Sequence, residues 1–301
     1  MTTTQNAPAR PLGRRWSSDR LQRRAFPILR WVVIAALLLI ILLPFYYMFL
    51  LSVRPIERLL ADPSSLLPDS LTLQTYRDVL LPVDSGGQGF ASFLANSLLV
   101  AIGTVLLALV IAIPGAYAIS RLPFFGRRQV SGLFLATYLF PAIVVAIPLF
   151  AAFTRLHLRG SLVGLILVYV AQTVPVAIYM MRNYFETVPQ TVEEAGMVDG
   201  LGRLGVLWRI SIPLAMPSIM ATGLFIFMIA WNEFLFALLF LVDHRENWTV
   251  SLGLSQLSGS VEVPTTVLMA GSVIITLPVI GLFFFTERLL TGGLTAGAEK
   301  G

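Results

Sequence analysis

Thr191-Val-Glu-Glu194-Ala195-Gly-Met-Val-Asp199-Gly200-Leu-Gly-Arg203-Leu-Gly-Val-Leu-Trp208-Arg-Ile210-Ser-Ile212-Pro213 lies in a polar interruption, Arg182 to Pro213, of a chain that is otherwise almost wholly apolar. The stretch carries its own helix grammar. Thr191 with Glu194 three residues on fits a capping box, the hydroxyl taking the Glu194 amide and the carboxylate reaching back. Pro189 stands before it and cannot continue an earlier helix. Asp199-Gly200 is a turn pair that ends a helix of about two turns, because glycine enters the left-handed region without penalty. A second short run, Arg203 to Ser211, places Leu204, Leu207 and Trp208 on one face, and Pro213 closes it. A helix-turn-helix this short does not stand in water unaided. It should dock on something larger.

Composition sets the class of the whole. Of 301 residues, 56% are hydrophobic and 12% charged, far from a soluble domain and typical of a polytopic membrane protein. There are no cysteines, so a disulfide framework, a thiolate nucleophile and a Cys-ligated metal site are excluded. The two histidines, His157 and His244, fall in separate predicted loops, which argues against a metal site. The net charge of +5 needs no nucleic acid. Seven arginines lie in the first thirty residues, with no aromatics interleaved in an RNA-binding pattern, and an Arg-rich segment ahead of a span is a topological anchor against anionic lipid.

Hydropathy predicts an all-α protein with six transmembrane helices and a cytoplasmic helix pair. Residues 1–30 are an Arg-rich amino-terminal segment, polar and expected to be mobile over 1–25. Residues 31–286 form the six-span domain, interrupted at 182–213, and 287–301 are a tail. The first span, Trp31 to Leu51, is roughly 31 Å long at 1.5 Å per residue, enough to cross a bilayer. It is too long for a signal-peptide core, and no small-residue cleavage site follows it. Span two runs from about Ser92 to Ala118 and span three from about Val130 to Phe153. Pro141 and Pro148 predict that span three is kinked or broken. Span four covers Ser161 to Met181, span five Leu214 to Val242 and span six Val267 to Phe285. The last loop, Asp243 to Thr266, contains a β-leaning piece, Trp248-Thr-Val-Ser-Leu252.

Basic residues orient the spans. Fifteen lie in the two tails, the 121–128 turn and the 182–213 segment, and six in the loops on the other side, so both termini and the helix pair face the cytoplasm. The single lysine, Lys300, rules out a GxxxxGK[ST] phosphate loop, so the chain cannot hydrolyse ATP by that route.

At Glu194-Ala195, with Gly200 six residues after the glutamate and then Ile210 and Ile212-Pro213, the stretch resembles the EAA loop of ABC importer membrane subunits. Two positions depart from that family's pattern: Gly196 replaces its second alanine, and Ile212 its leucine. Gly196 should cost the first helix roughly 1 kcal/mol against alanine. The resemblance implies a non-catalytic membrane subunit whose loop transmits nucleotide-driven closure of two cytoplasmic ATPase copies. ATP and Mg would bind those copies and no cofactor this chain. Glu194, Ala195, Asp199, Gly200, Ile210 and Pro213 are the coupling residues it marks.

The tail from Arg288 to Gly301, Trp231-Asn232-Glu233-Phe234 in span five and Asn96-Ser97 in span two narrow the likeness. They are similar to the second membrane subunit of maltose-type sugar importers. That implies a second six-span-core permease as heterodimer partner, an extracytoplasmic sugar-binding protein, and a maltose-, trehalose- or oligosaccharide-like cargo crossing the inner membrane. The loop after span five then reaches toward the binding protein, with Trp248, Thr249, Ser251, Leu252 and Ser255 as contacts.

Fifteen of sixteen acidic residues lie in predicted loops or tails; only Glu233 is well inside a span. A carboxylate there costs about 2.5–3.5 kcal/mol on insertion scales and should face the bundle with a partner. Gln172, Thr173, Trp231, Asn232 and Glu233 are candidate lining of the substrate path, with Tyr169 and Tyr179 as further rings. Their alternative role is hydrogen bonding between spans. A secondary transporter using Glu233 as a proton site is the competing function, but no convincing inverted repeat accompanies it. A membrane-embedded enzyme would need clustered His, Asp or Glu near a membrane face, which the sequence does not offer.

Overall fold

The computed structural model describes residues 16–68, 70–138, 140–260 and 263–298, and among these every regular element is a helix. In chain order these are α1 (Trp16–Val53), α2 (Ile56–Ala61), α3 (Gln74–Leu80), α4 (Phe90–Arg121), α5 (Arg127–Tyr138), α6 (Ala142–Arg155) and α7 (Leu162–Thr187). Then come α8 (Gln190–Val198), α9 (Arg203–Val206), α10 (Ile212–Leu214), α11 (Met216–Asn232), α12 (Leu235–Leu241), α13 (Val250–Ser258) and α14 (Thr265–Ala298).

Among the described residues, four helical segments are long and apolar enough to cross a membrane alone: Phe26–Val53, Phe90–Arg121, Leu162–Thr187 and Thr265–Glu287. The third and fifth predicted spans are each two shorter helices. Pro141 separates α5 from α6, as its missing N–H and fixed φ require. Glu233 and Phe234 separate α11 from α12.

The centre of the bundle is the pair α4 and α7. Ala101, Thr104, Ala108, Ala112 and Ala116 of α4 are fully buried. Small residues at this spacing let backbones approach closely, which in lipid replaces the hydrophobic drive available in water. One core, around Phe90, Phe93, Tyr169, Trp231 and Phe240, fills the end where α4 and α7 begin. A second, around Ala112, Tyr117, Met181, Phe185 and Leu207, fills the end where they finish. Helix α1 lies against α14 at the edge of the bundle: none of its most apolar window is buried, and burial begins only at Leu50. It also starts at Trp16, well before the predicted span, because Leu21-Gln-Arg-Arg-Ala25 are good helix formers.

The last loop departs from the predicted extended piece. It is largely α13, and its residues pack inward. Val250 donates its N–H to Ser97 Oγ at 2.8 Å, and Asn96 Nδ2 donates to the carbonyls of Glu246 and Trp248. Tertiary context here overrides the β preference of Trp248 to Leu252. Gly253 allows it: a Cβ at that position would sit 2.5 Å from Phe93 Cδ2. Gly253→Val should therefore cost about 1–3 kcal/mol by overpacking, seen as a lowered unfolding temperature of the detergent-purified protein.

Candidate functional site: a docked helix pair

The polar island folds as predicted in outline and differently in detail. Pro189 is the N-cap of α8, with φ −59° and no side-chain cap. The helix thus begins at Gln190, Thr191 and Glu194 lie inside it, and the capping box is not formed. Its other end matches the sequence reading. Gly200 has φ +91°, its N–H donates to Met197 O, and Leu201 N–H donates back to Gly196 O. This double bond across a left-handed residue is a complete Schellman motif.

The second half, α9 followed by a π-helical turn over Leu207–Ser211 and then α10, also diverges. Leu207 is buried at 4% exposure while Leu204 and Trp208 are 73% and 67% exposed, so the three do not share a buried face. Pro213 does not close the run. The wider turn, in which Ile212 N–H reaches Leu207 O, relieves the clash a proline ring makes with the carbonyl four residues back. The chain continues through α10 to Ala215 and bends 77° into α11.

What holds the pair to the bundle is a buried ion pair at the end of α4. Arg121 Nε donates to both carboxylate oxygens of Glu193 at 3.1 Å, with side chains only 7% and 6% exposed. Arg121 Nη2 donates to the carbonyls of Phe185 and Val188, at 2.6 and 2.7 Å, where α7 ends. Ser211 Oγ donates to Glu193 at 3.1 Å, and Tyr117 OH reaches it at 3.4 Å. One guanidinium and one carboxylate thus join α4, the end of α7, α8 and the π-helical turn. Tyr184 adds a bond from its hydroxyl to Leu214 O.

Sequence reasoning singled out Glu194 and missed Glu193, Arg121 and Ser211. Two adjacent carboxylates on a helix point to different sides, and composition does not say which turns inward. The available signal was Gly196: glycine marks the packed side, and Glu193 lies three residues before it on the same face. Both are buried, with Ile210 Cδ1 lying where a Gly196 Cβ would project. Glu194, Ala195 and Asp199 are exposed, beside Val198 at 88%. Ile210 is half-buried and Pro213 exposed.

The residues predicted to line a substrate path scatter. Trp231 is 1% exposed with its indole donating to Ile275 O, and buried Thr173 donates to Tyr169 O within its own helix, so both belong to the core. Exposed Asn232 donates to Met228 O. Glu233 has the partner that its position demanded: Tyr169 OH donates to it, and it accepts the N–H groups of Phe236 and Ala237, capping α12. Tyr179 is exposed and lies apart, beside Arg127, Arg128 and Arg182. Gln172 faces a cavity between α5, α6 and α7, without a hydrogen-bond partner for its buried side-chain oxygen among the described residues. The five residues predicted to touch a binding protein also turn inward. Thr249 and Leu252 are buried, Trp248, Ser251 and Ser255 half-buried, and the exposed positions of that loop among the described residues are Asp243 to Glu246, Ser258, Gly259, Pro264 and Thr265. Among the described residues no cluster of three His, Asp or Glu side chains could hold a metal.

Apolar helices long enough to span a bilayer, with a short helix pair docked at one end, define a multi-pass membrane permease subunit. The chain belongs to the family of binding-protein-dependent transport system inner membrane components, whose profile matches residues 105–291 and so includes the whole helix pair. It is 37% identical over 268 residues to the inner membrane ABC transporter permease protein YcjP of Escherichia coli, covering 89% of this chain and 94% of that one. It is 35% identical over 273 residues to the trehalose/maltose transport system permease protein MalG of Thermococcus litoralis, covering 90% and 96%. A crystal structure of a bacterial ABC transporter involved in import of the acidic polysaccharide alginate aligns with a TM-score of 0.77 and 26% identity, over 93% of this chain and 99% of that one.

Removing one partner of a buried ion pair leaves the other charge uncompensated, at about 3–5 kcal/mol. Glu193→Ala and Arg121→Ala should each cost that much. The double variant should cost less than the two singles together, because with both side chains removed no charge is left stranded. Thermal unfolding of the four proteins in detergent checks the cycle.

Proposed function

We propose that this chain is one of two membrane subunits of an ATP-driven saccharide importer in the cytoplasmic membrane, with both termini and the α8–α10 helix pair in the cytoplasm. A second permease of similar core completes the path, two copies of a separate ATPase bind ATP and Mg2+, and an extracytoplasmic binding protein delivers the cargo. Maltose, trehalose or a related oligosaccharide is the cargo class, on the strength of relatives such as the permeases of Thermococcus litoralis and of the Mycobacterium tuberculosis trehalose system, the latter 32% identical.

The observation that carries this reading is the contrast between the two sides of the helix pair. Its inner side is fastened to α4 and α7 through Arg121 and Glu193. Its outer side leaves Glu194, Ala195, Val198, Leu204 and Trp208 exposed in a segment too short to be stable alone. An exposed apolar set bordered by a carboxylate suits a groove on a partner protein. Ala195 permits close approach, Glu194 can face a basic group on the ATPase, and Gly200 fixes the angle between the short helices.

Force then has a defined route. Closure of the ATPase dimer moves the helix pair, and a displacement there reaches α4 and α7 through the ion pair and α11 through the bend at Ala215. Two membrane states biased by a partner's nucleotide state make an energy-coupled transporter. The opposite end, where Asp243 to Glu246 are exposed, is left for the binding protein.

Glu194→Ala should abolish ATP-dependent saccharide uptake by the assembled importer while membrane insertion stays normal. Gly200→Val should do the same, since a β-branched residue is strained at that positive φ. The check is uptake in proteoliposomes together with recovery of the subunit from membranes, and normal uptake in both variants would refute the coupling role.

A further inference from the structure

A cavity of about 560 Å³, open on one side, lies between α5, α6 and α7 and is bordered by Phe236 of α12. Its walls include Thr137, Phe140, Ala142, Leu149, Gln172 and Phe236. It sits where the two interrupted helices meet, at the Pro141 break and just beyond the Glu233 break. Interrupted helices at mid-membrane are where transporters build solute sites, and the volume falls in the range of about 300–1,000 Å³ usual for small-molecule sites.

Gln172 makes this cavity unusual. It lies midway along α7, next to Thr173, whose hydroxyl is already bonded within the helix. The Gln172 side-chain oxygen is shielded and has no hydrogen-bond partner among the described residues. An unpaired amide facing lipid is costly, so this wall should meet water, another chain or a solute. The lining offers one amide, able to donate and accept together, and the Thr137 hydroxyl, whose proton goes to Phe134 O and which is left to accept. Phe140 and Phe236 supply apolar ring surface, and among the described residues no charged side chain lines the space.

We propose that this cavity is a subsite for a neutral saccharide on the translocation path. The Gln172 amide pairs with two neighbouring hydroxyls, and the rings of Phe140 and Phe236 lie against the C–H face of the sugar. The proposal rests on the importer reading above and deepens it. This chain itself contacts cargo, and the absence of charge from the lining selects uncharged sugars over acidic ones. The Glu233 carboxylate, by capping α12, positions Phe236 at the wall.

The cysteine-free sequence permits a test that does not depend on transport rate alone. In the complete importer assembled with its partner subunits, themselves made cysteine-free, Gln172→Cys should react with a small water-soluble thiosulfonate. Leu106→Cys, on a separate apolar groove, should not. Saturating maltose or trehalose should slow the reaction about tenfold, and Gln172→Ala should raise the KM for uptake by a similar factor, the size expected for losing a hydrogen-bonded polar contact. Thr137→Cys on the facing wall gives the same readout should Gln172→Cys fail to assemble. An unreactive thiol at both positions would show the wall sealed against another chain. A reactive thiol that neither sugar protects, in an importer that transports one of them, would overturn the subsite and leave the importer reading standing. An importer that carries no saccharide at all would overturn both.

Discussion

A guanidinium and a carboxylate, both almost fully out of solvent, meet at the end of α4, and the arrangement of the molecule depends on that meeting. Desolvating two such charges is expensive and is offset only when geometry is good and the remaining hydrogen-bonding capacity is used. Here it is used. Arg121 donates to the Phe185 and Val188 carbonyls at the end of α7, and Glu193 also accepts from Ser211. A buried ion pair of this kind contributes definition of position more than net stability. It has four elements to define: α4, α7, α8 and the turn before α10.

That constraint explains how segments too short to fold alone can form a rigid handle. Helix α8 has nine residues and α9 four, lengths at which isolated helices are marginal in water. The Schellman closure at Gly200, the seat of Ile210 over Gly196 and the bond from Tyr184 to Leu214 complete the attachment. At the other end of the bundle the same economy appears with different chemistry. Glu233 lies at a helix break, where one carboxylate accepts from Tyr169 and caps α12, so a charge that would be costly in lipid becomes the pivot of a broken helix.

Much of this was legible in the sequence, and the failures have physical causes. The helical class followed from apolar runs of span length, and the break at Pro141 from proline's geometry. The turn at Gly200 was readable because only a few residues enter the left-handed region easily. The start of α8 was misplaced because Pro189 itself caps the helix, leaving Thr191 and Glu194 no capping role. The Trp248 to Leu252 piece misled because β-branched residues at a docked N-terminus obey their packing partners, Ser97 and Phe93, which lie about 150 residues away in sequence. Glu193 was passed over for Glu194 because helical facing is settled by what the helix docks on. No single-sequence pattern records that α4 would deliver Arg121 to that point. Four of the five path candidates were read from polarity and Trp231 from its ring, and polarity at a span's centre is shared by core hydrogen bonds and by cavity walls. Gln172 lies on the wall of the cavity between α5, α6 and α7.

The central claim is that the helix pair is a cytoplasmic handle gripped by an ATPase. Val198 is 88% exposed on that handle, and the chain has no cysteine to confuse the readout. With Val198→Cys in cells expressing the whole importer, a membrane-impermeant maleimide should leave the subunit unlabelled until the membrane is opened. After opening, labelling should be faster in cells lacking the ATPase than in cells containing it. Labelling of intact cells, or a rate indifferent to the ATPase, would contradict the account.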